Sequence, residues 1–353
     1  MQTKKRRFFS AQLMLLILSI TLIVVMLVAV SFGSTAIPLS VIVQVVLNGT
    51  QLFHFTRSWD LSIELIIWQL RLPNVVAAAL VGAALAVAGT LFQGMLRNPL
   101  ADPFLIGTSS GAALGASIAF VLPFDTLYGA FFPLTSILAF LGAIITVLFV
   151  YAIARTDERT PVVTLLLAGV VVNAVLVAFQ TLLLMLVPRA QFAVQALFYW
   201  LSGGVAVTGW SPVLIVGVIT LIGIMLSLSF SRTLDVFALG EESASHLGLQ
   251  VEWYKFMIVI VASLLTAAAV SISGLIGFVG LVTPHVMRLL LGPKHRALLP
   301  TTALGGAIFL VVADLLARTL IPTTILPVGI FTALIGAPFF LFLLRKSKRD
   351  YTW

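Results

Sequence analysis

The sequence predicts an all-α polytopic membrane protein, a compact bundle of about ten transmembrane helices with both termini cytoplasmic, and three observations carry that prediction. Of the 353 residues 61% are apolar and only 9% are charged, against about 25% in soluble proteins, so a water-soluble fold is excluded. Apolar runs follow one another along nearly the whole chain, and ten spans of about 20 residues would consume about 200 positions. Basic residues, finally, are concentrated in every second connection. The net charge of +8 is therefore read as membrane orientation, with no nucleic-acid partner implied. With no cysteine in the chain, disulfides, thiolate metal sites and cysteine nucleophiles are ruled out.

The first run, Phe8 to Phe32, follows Lys4-Lys5-Arg6-Arg7. Its length of about 25 residues exceeds the roughly 7 to 15 of a signal-peptide core, so it reads as an uncleaved helix, with cleavage near Ala29-Val30-Ser31 as the competing reading. Further runs lie near Val75 to Leu96, Gly107 to Leu122, Phe131 to Ala154, Val162 to Val187 and Pro212 to Phe230. The last four are Phe256 to Ser273, Leu275 to Leu291, Pro300 to Leu320 and Val328 to Leu344. Gly274, Gly277 and Gly280 interrupt one long stretch, which reads either as a hairpin or as a single broken helix.

Charge tests the count. With a cytoplasmic N-terminus, sixteen basic residues fall inside: the four before Phe8, Arg97, Arg155, Arg159, Arg232, Lys255, Arg288, Lys294, Arg296 and the four after Leu344. Only Arg57, Arg71, Arg189 and Arg318 fall outside, a strong positive-inside bias. Losing one span would invert the C-terminal cluster.

Small residues recur where helices would approach closely: Gly82, Ala86 and Gly89 in the second span, Gly111 and Gly115 in the third, Gly305-Gly306 in the ninth. In hydrocarbon such close backbone contact is what holds a bundle together. Ala83-Ala84, Gly89 and Pro99 also echo Ala268-Ala269, Gly274 and Pro284 at equal offsets. Inverted repeats occur in transporters, but residues this abundant match by chance.

Four segments break the apolar background. Arg71-Leu72-Pro73-Asn74 opens the second span, seven residues after Glu64. Arg97-Asn98-Pro99-Leu100-Ala101-Asp102-Pro103 is an inner turn whose two prolines cannot continue a helix. Residues 232–252 form the largest cytoplasmic loop, in which Glu241 and Glu242 start a short helix and Ala244, Leu247 and Gly248 give it a small apolar face. Such a helix suits a groove on a cytoplasmic partner; the alternative is an amphipathic piece lying on the membrane. The fourth segment runs from Gly277-Phe278-Val279-Gly280-Leu281 through Thr283-Pro284-His285 to Arg288.

Together these segments resemble the FecCD family, permeases of ABC importers for iron-siderophores, haem and cobalamin. Arg71-Leu72-Pro73, Gly82 to Ala86, Gly89, Gln93, Arg97 to Pro103, Gly107 and Ser110-Gly111-Ala112 match its N-terminal signature. Gly277 to Leu281, Pro284-His285, Arg288, Ala313-Asp314 and Ala317-Arg318 match its C-terminal one, so the resemblance spans essentially the whole chain. It implies a single permease domain over residues 1–353 in the cell membrane, paired with a second, identical or paralogous, permease subunit. It also implies two cytoplasmic ABC ATPase subunits and an extracytoplasmic substrate-binding protein. Leu239, Gly240, Glu241, Ala244, Leu247 and Gly248 look like the coupling helix that seats on the ATPase, Arg71 and Arg318 like binding-protein docking residues, and Asn98 and Leu100 like part of the cytoplasmic gate. The family often has arginine where Asn74 stands, which would remove one docking cation. No cofactor is expected in this chain, ATP and Mg being held by the partner ATPase.

The residues agree with these roles. An arginine on the outer face opposes the positive-inside bias, so something specific should retain it. Asp314 stands four residues before Arg318, however, and that pair could be purely structural. His285 reads as a packing residue without a second metal ligand at suitable spacing, and His54, His246 and His295 as solvated loop residues. Among competing classes, an ATPase is excluded by the lack of any Gly-Lys-Ser or Gly-Lys-Thr phosphate loop. A secondary transporter would have to couple through Asp314, the sole candidate within a span. An intramembrane enzyme would need a nucleophile with a base, or clustered ligands, and no His-Glu-x-x-His run is present. Iron-siderophore is the expected cargo, with cobalamin or haem as alternatives.

Overall fold

The structure, a computed structural model, describes residues 10–33, 37–49, 55, 57, 59–122, 133–157, 159–187, 190–321, 324 and 326–350. The Lys4-Lys5-Arg6-Arg7 cluster, His54 and Arg189 lie outside them. Every predicted run becomes a helix. In chain order these are α1 (Ala11–Ser31), α2 (Leu39–Gly49), α3 (Leu61–Leu65), a π-helical turn (Ile66–Arg71) and α4 (Leu72–Leu96). A 3-10 turn (Pro103–Ile106) leads into α5 (Thr108–Val121), followed by α6 (Leu134–Ala154), α7 (Val162–Leu186), α8 (Ala190–Leu201) and α9 (Ser211–Ser229). Two short inner helices, α10 (Ser231–Phe237) and α11 (Glu241–His246), precede α12 (Val251–Ser273), α13 (Val279–Leu291), α14 (His295–Thr319) and α15 (Val328–Asp350). Among the described residues, seven helices are long and apolar enough to cross a membrane. Four apolar helices are shorter: Leu39–Gly49, Thr108–Val121, Val279–Leu291 and, within α15, Val328–Phe342. Three of the ten predicted spans, α5, α13 and α15, are thus of reduced apolar length.

The core is built around α4, which is wrapped by α14, α12, α13, α9 and α1. Its residues from Val81 to Gln93 are all buried, as expected of a helix that is apolar on every face. Small side chains make that wrapping possible. A Cβ on Gly82 would overlap the Gly306 carbonyl of α14, and one on Gly89 the Gly280 carbonyl of α13. Gly111 and Gly115 of α5 meet the backbone of α6 at Gly142 and Leu138 in the same manner. The outward surfaces of α7 and α9, by contrast, expose large apolar residues such as Leu167, Met185, Leu221 and Met225, the surface a lipid-facing helix requires.

The stretch around Gly274 resolves into two helices. Gly274 ends α12 at φ 62°, and Phe278 holds φ 68° just before α13. Because Gly280 of α13 packs on Leu85 and Gly89, halfway along α4, α13 begins at mid-depth and runs toward the inner end. Its 13 residues reach only about 20 Å. The repeat echo has no structural counterpart: Gly89 lies inside α4 whereas Gly274 terminates α12, and Pro99 lies in a turn whereas Pro284 lies inside α13.

Candidate functional site

At the outer end, the π-helical turn delivers Arg71 into the protein. Its guanidinium donates to the Val30 carbonyl at 2.8 Å and the Ser31 carbonyl at 3.1 Å, tying the end of α1 to the start of α4. Carbonyls in the last turn of a helix lack intrahelical donors; Ser31 O also accepts from Ile37 N at 3.0 Å, and a buried cation there is favoured by the helix dipole. Asn74 follows one turn later. Its amide donates to Leu70 O (2.7 Å) and Val207 O (3.1 Å) and accepts from Val207 N (2.9 Å). This pairing staples the extended segment between α8 and α9 onto α4, a task arginine, which has no acceptor, cannot perform.

Arg318 reaches back one turn to Asp314, with Nη2 at 2.8 Å and Nε at 3.0 Å from one carboxylate oxygen. Asp314 is buried while Arg318 is partly exposed. The pair borders an outer cavity of about 460 Å³ lined also by Asn74, Trp200, Gly204 and Ser273. Arg318→Ala would strand a buried carboxylate, at a cost of about 3–5 kcal/mol. We expect its melting temperature in detergent to fall and the Asp314→Asn/Arg318→Gln double variant to recover most of the loss. Equal melting of the single variant and the native protein would show that the pair is not structural. Glu64 pairs with the exposed Arg57 at 3.1 Å.

At the inner end, α4 terminates at Arg97 in the left-handed region, φ 51°. Asn98 Oδ1 accepts from Leu100 N at 2.9 Å, and Asp102 Oδ1 accepts from Phe104 N at 2.8 Å. The two prolines thus sit in a hydrogen-bonded reversal, with Asn98 and Leu100 exposed on it. Burial raises the Asp102 carboxyl to about 6, against the Phe104 amide that favours its charge.

Arg97 also approaches Gly240, which holds φ 108° immediately before α11. The predicted apolar face of α11 is divided. Ala244 is fully buried, whereas Leu239 and Leu247 are 65% and 66% exposed at either end of the helix. Ala244 therefore seats the helix from within, and the two leucines are what it offers outward. Glu241 is turned partly inward too, 3.0 Å from the buried Lys255 ammonium of α12. Gly248 holds φ 83° with open space around it.

His295 departs from expectation. It is buried at the start of α14, its Nδ1 2.7 Å and its backbone N 3.0 Å from Asp235 Oδ1 of α10. The partner lies 60 residues upstream, a separation that local sequence cannot signal. His285 packs edge-on against Phe339, with ring centroids 5.9 Å apart. No group of three or more His, Asp or Glu suited to a metal occurs among the described residues. Gly107-Thr108-Ser109-Ser110-Gly111 does fit the Gly-x-Ser-x-Gly pattern of serine hydrolases. Here, however, it joins a 3-10 turn to α5, not the strand-to-helix elbow that exposes a nucleophile.

One constellation joins the two signature halves. Pro284, lacking an N–H, leaves the Gly280 carbonyl without its helical donor. Gln93 Nε2 of α4 fills the gap, 3.2 Å from Gly280 O, and Arg288 Nη1 holds the Gln93 oxygen at 3.1 Å. Gln93→Leu should orphan that buried carbonyl and cost about 1–3 kcal/mol, measurable as a lower melting temperature. An unchanged value would remove this role from Gln93.

The chain is similar to known proteins over most of its length. The profile of the FecCD transport family matches residues 21–346. The chain is 45% identical to a cobalamin import system permease of Halobacterium salinarum over 81% of its own length and 74% of the relative's. It is 38% identical to a hemin transport system permease of Yersinia pestis, covering 86% and 91% of the two chains. It is 41% identical to an Fe(3+) dicitrate transport system permease of Escherichia coli, covering 80% and 86%. A solved ABC transporter structure, described as metal-chelate type and inward-facing, superposes with a TM-score of 0.81 at 30% identity over 95% of this chain and 99% of its own.

Proposed function

Because the chain belongs to the FecCD transport family, we propose that it is the permease subunit of an ATP-driven importer that passes a metal chelate from an external binding protein into the cytoplasm. The observation that carries this reading is α11, a six-residue helix seated on the inner end of the bundle through Ala244 and Glu241, with Leu239 and Leu247 exposed at its two ends. A short helix that presents leucines at both ends from a hydrophilic inner loop suits an apolar groove on a cytoplasmic partner. The partner in this reading is a cytoplasmic ABC ATPase, which binds the ATP and Mg that the chain has no motif to hold. Gly240 and Gly248 provide the left-handed turns that set α11 apart, and Glu241 and Ala244 fix it from the bundle side.

The single permease domain pairs with a second permease subunit in the cytoplasmic membrane, and cargo crosses between them by alternating access. On the outside a binding protein docks over the rim built on Arg71 and Arg318, Arg71 anchoring the α1–α4 junction and Arg318 presenting charge beside the cavity. On the inside Asn98 and Leu100 sit on the reversal that abuts α11 and form part of the gate. Iron(III)-siderophore is the cargo we favour. Cobalamin is the second reading, supported by the 45% identical cobalamin permease, and haem is supported by the 38% identical hemin permease. An ion-coupled mechanism is disfavoured, because Arg318 already occupies Asp314, the carboxylate such coupling would use.

The test is purification of the tagged chain from membranes that express its natural companions. The reading predicts that an ABC ATPase accompanies it in equal number, and recovery of the chain alone would overturn it. Competition of labelled ferric siderophore by cobalamin or haem then ranks the cargos.

A further inference from the structure

Lys255, four residues into α12, is buried with only 4% of its side chain exposed. An ammonium group has three donors, and leaving any of them unpaired away from water is costly. All three are taken, each by a different residue. Nζ lies 2.9 Å from the Thr160 carbonyl in the connection between α6 and α7, 3.0 Å from Glu241 Oε2 of α11, and 2.6 Å from Glu252 Oε1 of α12. Glu252 closes the ring, its second oxygen accepting from Thr160 N at 2.9 Å. Thr160, Glu252 and Lys255 thus form a closed knot between the α6–α7 connection and α12, and Glu241 ties α11 to it.

The far end of α12 is equally constrained. Ser273 O accepts from Gly204 N at 2.8 Å, and Ser273 and Gly274 line the outer cavity beside Asp314 and Arg318. One continuous helix, buried for most of its length, therefore runs from the knot under α11 to the outer cavity. Glu241 and Glu252 are about one-third exposed, but the Lys255 ammonium is buried, and displacing any one of its partners would strand a donor away from water. Besides the four-residue connection from α11 to α12, Lys255 gives motion of α11 a direct route into α12 and the α6–α7 connection.

We propose that Lys255 is a positioning residue that makes α11, α12 and the α6–α7 connection move as one body, converting displacement of α11 at the inner face into displacement of α12 at the outer cavity. This inference rests on the permease reading above and specifies which residue carries the motion. Lys255 itself touches neither ATPase nor cargo. Its loss should leave complex assembly and basal ATP hydrolysis intact while uncoupling them from transport.

The experiment uses the whole complex in proteoliposomes and reads chelate transported per ATP hydrolysed. Lys255→Met, which keeps the aliphatic stem and deletes the charge, should lower that ratio by about tenfold or more. Lys255→Arg, which restores a multidentate cation, should recover most of it. A merely structural lysine would lower both activities together and leave the ratio unchanged, and that result overturns the proposal. Should Lys255→Met fail to assemble, paired spin labels at the exposed Ser243 and Arg159 of the otherwise native chain decide the matter. A label distance that holds constant with and without ATP supports a single body, and a distance that changes overturns it. If the native complex itself neither binds ATPase nor transports, the permease reading fails instead, and the two failures are separable.

Discussion

Gly89→Leu is expected to abolish accumulation of folded protein in the membrane. Gly89 faces the backbone of Gly280, and a Cβ there would overlap the Gly280 carbonyl and its Cα at once. Inserting side-chain atoms into a packed core typically costs about 1–3 kcal/mol when neighbouring side chains can yield. Here the obstacle is main chain, held in register by the Gln93 amide and by Pro284, so α13 must separate from α4 as a unit. The penalty should exceed about 4 kcal/mol, the range in which single substitutions unfold marginal proteins. Gly217→Ala on α9 is the control, since its Cβ would make only an ordinary contact, 3.4 Å from Leu80. Detergent-solubilised yield and size-exclusion profile measure both. A monodisperse Gly89→Leu protein at native yield would show that α4 and α13 do not depend on this contact.

The paired substitution Leu239→Asp/Leu247→Asp should eliminate uptake while leaving the bundle folded. Both leucines are exposed in the isolated chain, so polar replacements there cost the fold little. Covering a leucine contributes about 1.5–3 kcal/mol. Losing two and desolvating two carboxylates should therefore weaken partner binding by several kcal/mol, about a thousandfold or more in Kd. Pull-down of the ATPase by the variant measures the effect, with its melting temperature as the fold control. Normal ATPase recovery would place the docking surface elsewhere.

The two ends of the bundle were unequally legible from sequence. Hydropathy and the positive-inside bias located every long helix, because apolar runs and basic connections are local signals. Leu39–Gly49 and Ala190–Leu201 were not seen as helices, since 11 or 12 residues interrupted by polar side chains look like connecting loop. The break at Gly274 was marked by glycine, but the half-length of α13 was not, since only packing on Gly89 reveals where it starts. Arg71 and Asn74 were visible as outer polar residues. Their partners, the α1 carbonyls about 40 residues upstream and Val207 133 residues downstream, are backbone atoms that no residue pattern encodes. His295 reads as solvated because the carboxylate that holds it, Asp235, lies 60 residues upstream, and Lys255 reads as one inner-face cation because its Thr160 and Glu241 partners lie in other segments, although Glu252 stands three residues before it. The apolar character of Ala244 points to the outward face of α11, yet the residue is fully buried. Its direction is set by the turns at Gly240 and Gly248, which rotate so short a helix as a whole.

The central claim is that transport through this chain is powered by an ATPase gripped at α11. The most direct test is accumulation of labelled metal chelate in proteoliposomes that contain the chain, its cognate ATPases and, outside, the loaded binding protein. The account predicts accumulation that requires internal ATP, survives a protonophore and disappears with Leu239→Asp/Leu247→Asp. Accumulation without ATP that collapses on adding the protonophore would contradict it.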